Sequence, residues 1–246
     1  MSFDITANQG SGIEDLNQGG SMPLLRILQD LSPQVRKQKD EYIEGAESGD
    51  IYFAADECIL GKSIEIIPIK MKPLYTEWTP RDQGGGLVGL HPLTITDDSR
   101  YEQGRNARYD EWLGDNELLM THYWFVRVLV NGEWTEALIA MTKSQLKISR
   151  DLQKKIKNFR YDDHPDVQPN IFARKVVLES EYVENDNGDG YNNWKVGDFT
   201  VLDPSEDEAL LVEANDLSKG AEQYLPAPEP QVALPDGFED DDAVDI

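Results

Sequence analysis

Residue types on which many active sites depend are scarce in this chain of 246 residues. Cys58 is its single cysteine, so the chain can form no intrachain disulfide and no cysteine-based zinc site, and a reducing cytoplasm suits it. The three histidines, His91, His122 and His164, lie far apart in the sequence, without the spacing of a metal site or of a nucleophile and its base. We therefore expect no catalytic residues, no metal and no cofactor.

Long apolar runs and catalytic motifs are also missing. No apolar stretch approaches the ~18 residues of a membrane span, and residues 1–5 have no basic region ahead of an apolar run, so we expect no membrane segment and no signal peptide. A phosphate-binding P-loop, Gly-x-Ser-x-Gly and His-Glu-x-x-His do not occur. These absences predict a cytoplasmic binding or structural protein rather than an enzyme.

Positive charge is scarce and unevenly placed. The chain has 23 Lys and Arg against 47 Asp and Glu, a formal net charge of −24. Residues 143–160 nevertheless carry seven cations against Asp151 alone, whereas residues 203–246 carry fourteen carboxylates against Lys219. A solvated helix face usually mixes signs, so the cationic segment favours an anionic ligand, with a merely solvated face as the alternative. Steps of three and four residues place these cations along one side of a helix: Lys143, Lys147, Arg150, Lys154 and Lys157.

Hydrophobic periodicity predicts a mainly β protein with one or two helices. A small, strongly bent sheet with one helix between its third and fourth strands is typical of an OB-fold barrel, and the alternative is another α+β sheet with its helix packed across one face. Ser32 and Pro33 also predict the start of a helix that would run to Gly45. The predicted strands are 51–53, 63–79, 121–130, 134–141, 172–183 and 191–202, and the later predicted helices are 142–160 and an acidic one from Pro204.

Composition divides the chain into four segments. Residues 1–22 predict a flexible arm, 23–202 an OB-like nucleic-acid-binding domain, 203–224 an acidic helix and 225–246 a disordered acidic tail. Such a tail suits docking into a basic pocket of a partner or into the protein's own cationic groove, and a solubility tail is the alternative. The predicted partner-binding residues are Asp236, Phe238, Glu239, Asp240, Asp241, Asp242, Asp245 and Ile246.

Aromatic residues alternate with cations on the predicted sheet. In the strand 121–130, one face carries Tyr123, Phe125 and Arg127, which suits bases stacked on flat rings at ~1–3 kcal/mol each while cations hold phosphates. The alternative is a strand buried on both faces. The predicted nucleic-acid-binding residues are Lys70, Lys72, Tyr75, Trp78, Arg81, Tyr123, Phe125, Arg127, Lys143, Lys147, Arg150, Lys154, Arg174 and Lys195.

Four segments resemble a family of phage-encoded proteins. They are residues 44–51 (EGAESGDI), 66–78 (IIPIKMKPLYTEW), Arg81 with 84–91 (GGGLVGLH), and 137–146 (ALIAMTKSQL), within a likeness that covers roughly 45–152. Members of that family are commonly described as single-stranded DNA-binding or as uncharacterised, so the resemblance implies a phage protein and DNA binding but no catalytic residue. The tail separately resembles the acidic C-termini of bacterial and phage single-stranded DNA-binding proteins, many of which end on Phe, whereas this chain ends on Ile246.

These observations together predict a protein that binds single-stranded DNA without sequence preference and serves phage replication or recombination in the host cytoplasm. Its tail would compete with DNA and recruit partner enzymes, and self-association stays open. The alternative is a virion or partner-binding phage protein without nucleic-acid binding, including an acidic mimic of DNA.

Overall fold

The computed structural model describes residues 21–107, 110–160, 166–185 and 188–226. Within them the chain forms two antiparallel sheets and two α-helices. The strands are β1 (Leu25–Ile27), β2 (Ile51–Phe53), β3 (Cys58–Ile59), β4 (Ser63–Trp78), β5 (Leu87–His91), β6 (Tyr101–Gln103), β7 (Glu111–Leu113), β8 (Asn116–Val130), β9 (Glu133–Thr142), β10 (Arg174–Glu184) and β11 (Gly190–Val201). The helices are α1 (Gln145–Asn158) and α2 (Glu208–Gly220), with 3-10 turns at Pro33–Val35, Arg81–Gln83, Leu93–Asp97 and Ala221–Tyr224.

Two long strands, β4 and β8, form the centre of the larger sheet. They pair antiparallel from Ile66 opposite Val128 to Trp78 opposite Glu117. The edge of β4 that faces away from β8, its outer edge, pairs first with β10 and further along the strand with β5. The edge of β8 that faces away from β4 pairs first with β7 and further along with β9. The predicted mainly β fold with two helices is confirmed. The sheet is open rather than closed into an OB-fold barrel, and its order in the described residues runs β11-β10-β4-β8-β7-β6.

The two prolines of β4 do not interrupt the pairing of its outer edge with β10 and β5. A proline has no N–H to give to a central ladder. Pro68 and Pro73 fall between the stretch of β4 that pairs with β10, which ends at Ile66, and the stretch that pairs with β5, which begins at Tyr75. Pro68 also lies at a register shift against β8. The two prolines therefore fit a long central strand that is irregular at Pro68.

One face of the large sheet packs against α1 and the small sheet. Trp124, Val126 and Val128 of β8 point into this core, where they meet Leu152 and Ile156 of α1. The small sheet, ordered β1-β2-β3, contributes further apolar side chains to the same cluster. These positions alternate along β8 with Tyr123, Phe125 and Arg127, so they form the opposite face of the strand.

The other face of the large sheet is buried as well, by α2 and the 3-10 turn that follows it. Tyr123 and Phe125 of β8 lie in a second apolar cluster with Ile67 of β4, beneath Ala214 and Ala221. Four half-buried residues of the covering segment complete the contact: Leu210, Leu211, Leu217 and Tyr224. The strand at the centre of the sheet is therefore buried on both faces, which is the alternative that the sequence left open.

The segment after Ser32 differs from its prediction. Only the three residues Pro33–Val35 form a helical turn, and the chain then continues in irregular turns. Residues 36–41 are all charged or polar, so a helix there would have no apolar stripe to bury, and local start signals alone do not sustain one.

The structure describes only part of the predicted arm and part of the predicted tail. Met22, assigned to the arm, is buried and its backbone N–H donates to the Tyr224 carbonyl at 3.0 Å. The rest of the predicted arm, residues 1–20, and the acidic tail from residue 227 lie outside the described residues. None of the helices that the structure does describe is long and apolar enough to span a bilayer.

Candidate nucleic-acid interface

The α1 helix is fixed to the sheet by buried polar contacts. Ser149 is fully buried, and its Oγ accepts a hydrogen bond from Trp124 Nε1 at 2.8 Å and lies 2.7 Å from His122 Nδ1. Burial, and secondarily the Arg150 guanidinium, lower the pKa of His122, so this ring is neutral at physiological pH. Leu152 and Ile156 anchor the following turns in the core. The helix therefore presents its opposite side to solvent on a rigid support.

That opposite side carries the predicted cations, which we call the α1 cationic row. Each of its side chains is exposed, and within the described residues none lies within 4.0 Å of a carboxylate. The row advances by three or four residues at a time, about 4.5–6 Å along the helix axis. It consists of Lys143, Lys147, Arg150, Lys154 and Lys157.

The cations predicted on the sheet, by contrast, have carboxylate partners from the covering segment. Lys70 and Lys72 lie 2.6 and 2.9 Å from the two oxygens of Glu222. Hydrogen bonds from Lys70 and then Lys72 hold the pKa of the Glu222 carboxyl below its usual range. Arg127 contacts Glu213 of α2 and also donates to the Trp134 carbonyl at 2.9 Å. These three cations are engaged in holding α2 and the 3-10 turn onto the sheet.

The aromatic side chains predicted to stack bases lie in the interior. Phe125 is 0% exposed, and Tyr123 is 3% exposed with its hydroxyl 2.9 Å from Thr76 Oγ1. Tyr75 is also buried, and its hydroxyl donates to Glu111 at 2.8 Å, which together with burial raises its pKa. A nucleobase has no access to these rings in this fold, since α2 covers the first two. We therefore remove these three residues from the interface, and the physical reason is burial beneath a helix.

Arg174 is likewise an interior residue. It is 0% exposed, and its guanidinium donates to the carbonyls of Ile156 at 3.1 Å and Asn170 at 3.3 Å while lying 4.5 Å from the centre of the Phe159 ring. It ties the last turn of α1 to β10. Its charge stabilises a carbonyl-rich helix end rather than facing a ligand, so it too is removed from the predicted interface.

The remaining predicted residues are exposed but differ in position. Lys195 of β11 borders a cleft of about 540 Å³ together with Lys154, although Glu179 and Glu181 lie 3.6 and 3.3 Å from its amine. Trp78 ends β4 and is 37% exposed, and Arg81 is exposed in the adjacent 3-10 turn. Only Lys195 of these lies beside α1.

A second cleft, of about 550 Å³, lies at the start of α1 and was missed by sequence reasoning. Lys143 and Leu146 line it on the side of α1, and the other described residues that line it are Asn106, Ala107, Asp110, Glu111, Trp112, Glu117, Leu118, Leu119 and Met120. The hydrogen bond from the Trp112 indole, together with backbone N–H groups, holds the pKa of Asp110 below its usual range. Residues 97–114 showed no periodicity in the sequence, so nothing placed this carboxylate next to the cationic helix. The strands β6 and β7, which the structure forms there, have three residues each, too few to give a periodic pattern in the sequence.

No group of three or more His, Cys, Asp and Glu side chains in the described part of the chain is arranged to hold a metal ion. Cys58 is half-buried, and burial, then the Asp56 carboxylate, raise the pKa of its thiol. A raised thiol pKa disfavours the nucleophilic thiolate.

Comparison with known proteins gives one family. The model of the family described as Pam3 phage gp34-like protein matches residues 2–223, which include both sheets and both helices. No curated protein and no solved structure matches the chain.

Proposed function

This chain belongs to the Pam3 phage gp34-like protein family, and we propose that it is a phage protein that binds single-stranded DNA along the α1 cationic row. In this proposal it acts as a binding protein rather than an enzyme, in replication or recombination of phage DNA in the host cytoplasm.

The observation that carries the proposal is the contrast between two sets of cations. Sheet cations such as Lys70 and Arg127 contact carboxylates of the covering segment. The α1 cationic row has no such partner in the described residues, although carboxylates outnumber cations about twofold in the whole chain. Four like charges held on α1, with Lys143 in the turn just before it, repel one another, and an external polyanion relieves that repulsion.

Phosphate contact explains why binding would lack sequence preference. Lysine and arginine contacts to phosphate oxygens fix the position of a strand but carry no base information. Each neutralised phosphate also releases counterions, so such binding depends steeply on salt. The helical part of the row, from Lys147 to Lys157, covers about 15 Å of α1, and Lys143 extends the row by one turn before the helix, so the row is long enough for several successive phosphates.

The interface proposed here is smaller than the one predicted from sequence. It keeps Lys143, Lys147, Arg150 and Lys154, with Lys195 beside the last of these. Trp78 and Arg81 lie at the end of β4 and in the 3-10 turn after it, outside the α1 cationic row, and the proposal does not require them.

The acidic tail supplies a natural competitor for this row. Residues 236–246 hold six carboxylates and no cation, so an intramolecular encounter with α1 would be favourable at low salt and screened at high salt. DNA would displace the tail and leave Phe238 and Ile246 free to bind a replication or recombination enzyme.

We expect the full chain to bind a labelled single-stranded oligonucleotide more tightly than a duplex of the same sequence, as measured by fluorescence anisotropy. If the five cations of the row each neutralise one phosphate, the slope of log K against log salt should be about −3.5. A chain that lacks residues 236–246 should bind more tightly, with the largest gain at low salt.

Absence of binding to either oligonucleotide at low salt would contradict the proposal and favour a virion or partner-binding role. Equal or weaker binding by the shortened chain would leave DNA binding intact and remove the competing role of the tail.

A further inference from the structure

The cleft at the start of α1 has walls of mixed chemistry. Leu118, Met120 and Leu146 supply apolar surface, and Trp112 borders the same space. Its volume of about 550 Å³ lies within the range of small-molecule sites in proteins. A nucleobase fits within such a space. A base must leave its stack and its pair to enter the cleft, which a single strand allows at lower cost than a duplex.

Asp110 contributes a carboxylate oxygen to which no described residue donates a hydrogen bond. Its Oδ2 accepts from the backbone N–H groups of Asn106 and Ala107 and from the indole of Trp112, at 2.8, 3.1 and 2.9 Å. Its Oδ1 is buried and has no hydrogen-bond partner among residues 21–107, 110–160, 166–185 and 188–226. Buried carboxylate oxygens are nearly always paired. Amino groups on nucleobases donate hydrogen bonds to carboxylates in protein–DNA contacts. The amino group of a base in the cleft would therefore supply a donor to Asp110 Oδ1.

Lys143 joins the cleft to the α1 cationic row. It borders the cleft, is exposed, and is the first member of the row. Its backbone has φ = 50°, in the left-handed region that favours glycine. Lys143 therefore adopts a backbone conformation that lysine disfavours, and such strained positions cluster at functional sites.

The beginning of α1 adds further positive potential at the same place. Its first turn contains no acidic residue, and the Ser144 side chain caps no backbone N–H. The N-terminal end of a helix carries a partial positive charge, which here adds to that of Lys143. A phosphate attached to a base in the cleft would lie beside these groups.

We propose that this cleft binds one unstacked nucleobase of the strand whose phosphates follow the α1 cationic row. The inference rests on the proposed function, and it names the feature that would select single strands over duplex. The base packs against Leu146 and Met120 and donates to Asp110, while Lys143 contacts the adjoining phosphate.

The test compares two oligonucleotides of equal length and charge, one with bases and one with abasic sites throughout. We expect the wild-type chain to bind the base-bearing strand on the order of tenfold more tightly. Leu146→Trp fills the cleft, so this variant should bind both strands equally, with an unchanged salt dependence. Leu31→Trp, which adds the same side chain at an exposed position in a loop, should keep the wild-type preference.

A second variant separates the amine of Lys143 from its backbone. Lys143→Gly suits the left-handed turn, so the variant should melt at the wild-type temperature or above it. Loss of one phosphate contact should nevertheless weaken binding of both oligonucleotides about fivefold to tenfold at low salt.

The outcomes distinguish the two proposals. If the wild-type chain binds neither oligonucleotide, the proposed function fails. If it binds both equally, or if Leu146→Trp keeps the preference for bases, DNA binding stands and the cleft is not a base site. Loss of that preference in Leu31→Trp as well would also overturn the inference, and unchanged affinity in Lys143→Gly would remove Lys143 from the site.

Discussion

Replacing Lys147, Arg150 and Lys154 together with alanine should lower the affinity for single-stranded DNA on the order of 10²-fold or more at about 50 mM salt. These side chains are three of the five in the α1 cationic row. Removing three of five phosphate contacts should flatten the salt slope from about −3.5 to about −1.4. Titration of the labelled strand at several salt concentrations measures both quantities. Since all three side chains are exposed, the fold should be unaffected.

A matched control removes the same charge from another exposed surface. Arg36, Lys37 and Lys39 are exposed, lie in irregular turns and form no ion pair in the described residues. Their joint replacement with alanine should change affinity only through the net charge of the protein and should leave the slope as it was. If both triple variants lose affinity equally, binding follows bulk charge and not the row.

Replacing Phe125 with alanine should lower the free energy of unfolding by about 3–5 kcal/mol, because a fully buried aromatic side chain leaves a cavity. Phe125 is 0% exposed and lies in the cluster that α2 covers. Urea denaturation measures this loss. Leu129→Ala provides the control, since Leu129 lies on the same strand but is 39% exposed and should cost far less.

The same position tests whether the sheet aromatics contact DNA. Phe125→Leu keeps an apolar side chain in the core and should cost less than Phe125→Ala, because it leaves a smaller cavity. We expect its affinity for single-stranded DNA to match that of the wild-type chain. A tenfold loss of affinity in this variant, with stability preserved, would restore the sheet as a stacking platform.

The strands that sequence predicted well are those with strong local signals. The strand at 121–130 is rich in aromatic and β-branched residues, and Asn131 with Gly132 forms the predicted hairpin turn. Residues 63–79 were likewise predicted from β-branched content, within one residue of the observed β4. Short strands such as β6 and β7 have three residues each, and pairing with their neighbours rather than intrinsic propensity holds them.

The helix α1 was predicted correctly, but the exposure of the residues predicted on the sheet was not. Steps of three and four residues were enough to align the cations of α1, because helical geometry is local. Whether Tyr123 and Phe125 face solvent depends on where α2 packs, some 90 residues later in the chain. The apolar stripe of α2, with Leu210, Ala214 and Leu217, was visible in the sequence, but its partner was not. Long-range packing therefore decided which predicted residues remain at the surface.

Chemical footprinting of lysines tests the central claim most directly. The full chain would be acetylated with and without saturating single-stranded DNA, and the modification of each lysine would be measured by mass spectrometry. We expect DNA to protect Lys147 and Lys154 of α1 and to leave Lys37 and Lys39 equally reactive, since only the first pair belongs to the α1 cationic row. Protection of Lys37 and Lys39 with unchanged reactivity along α1 would contradict the account.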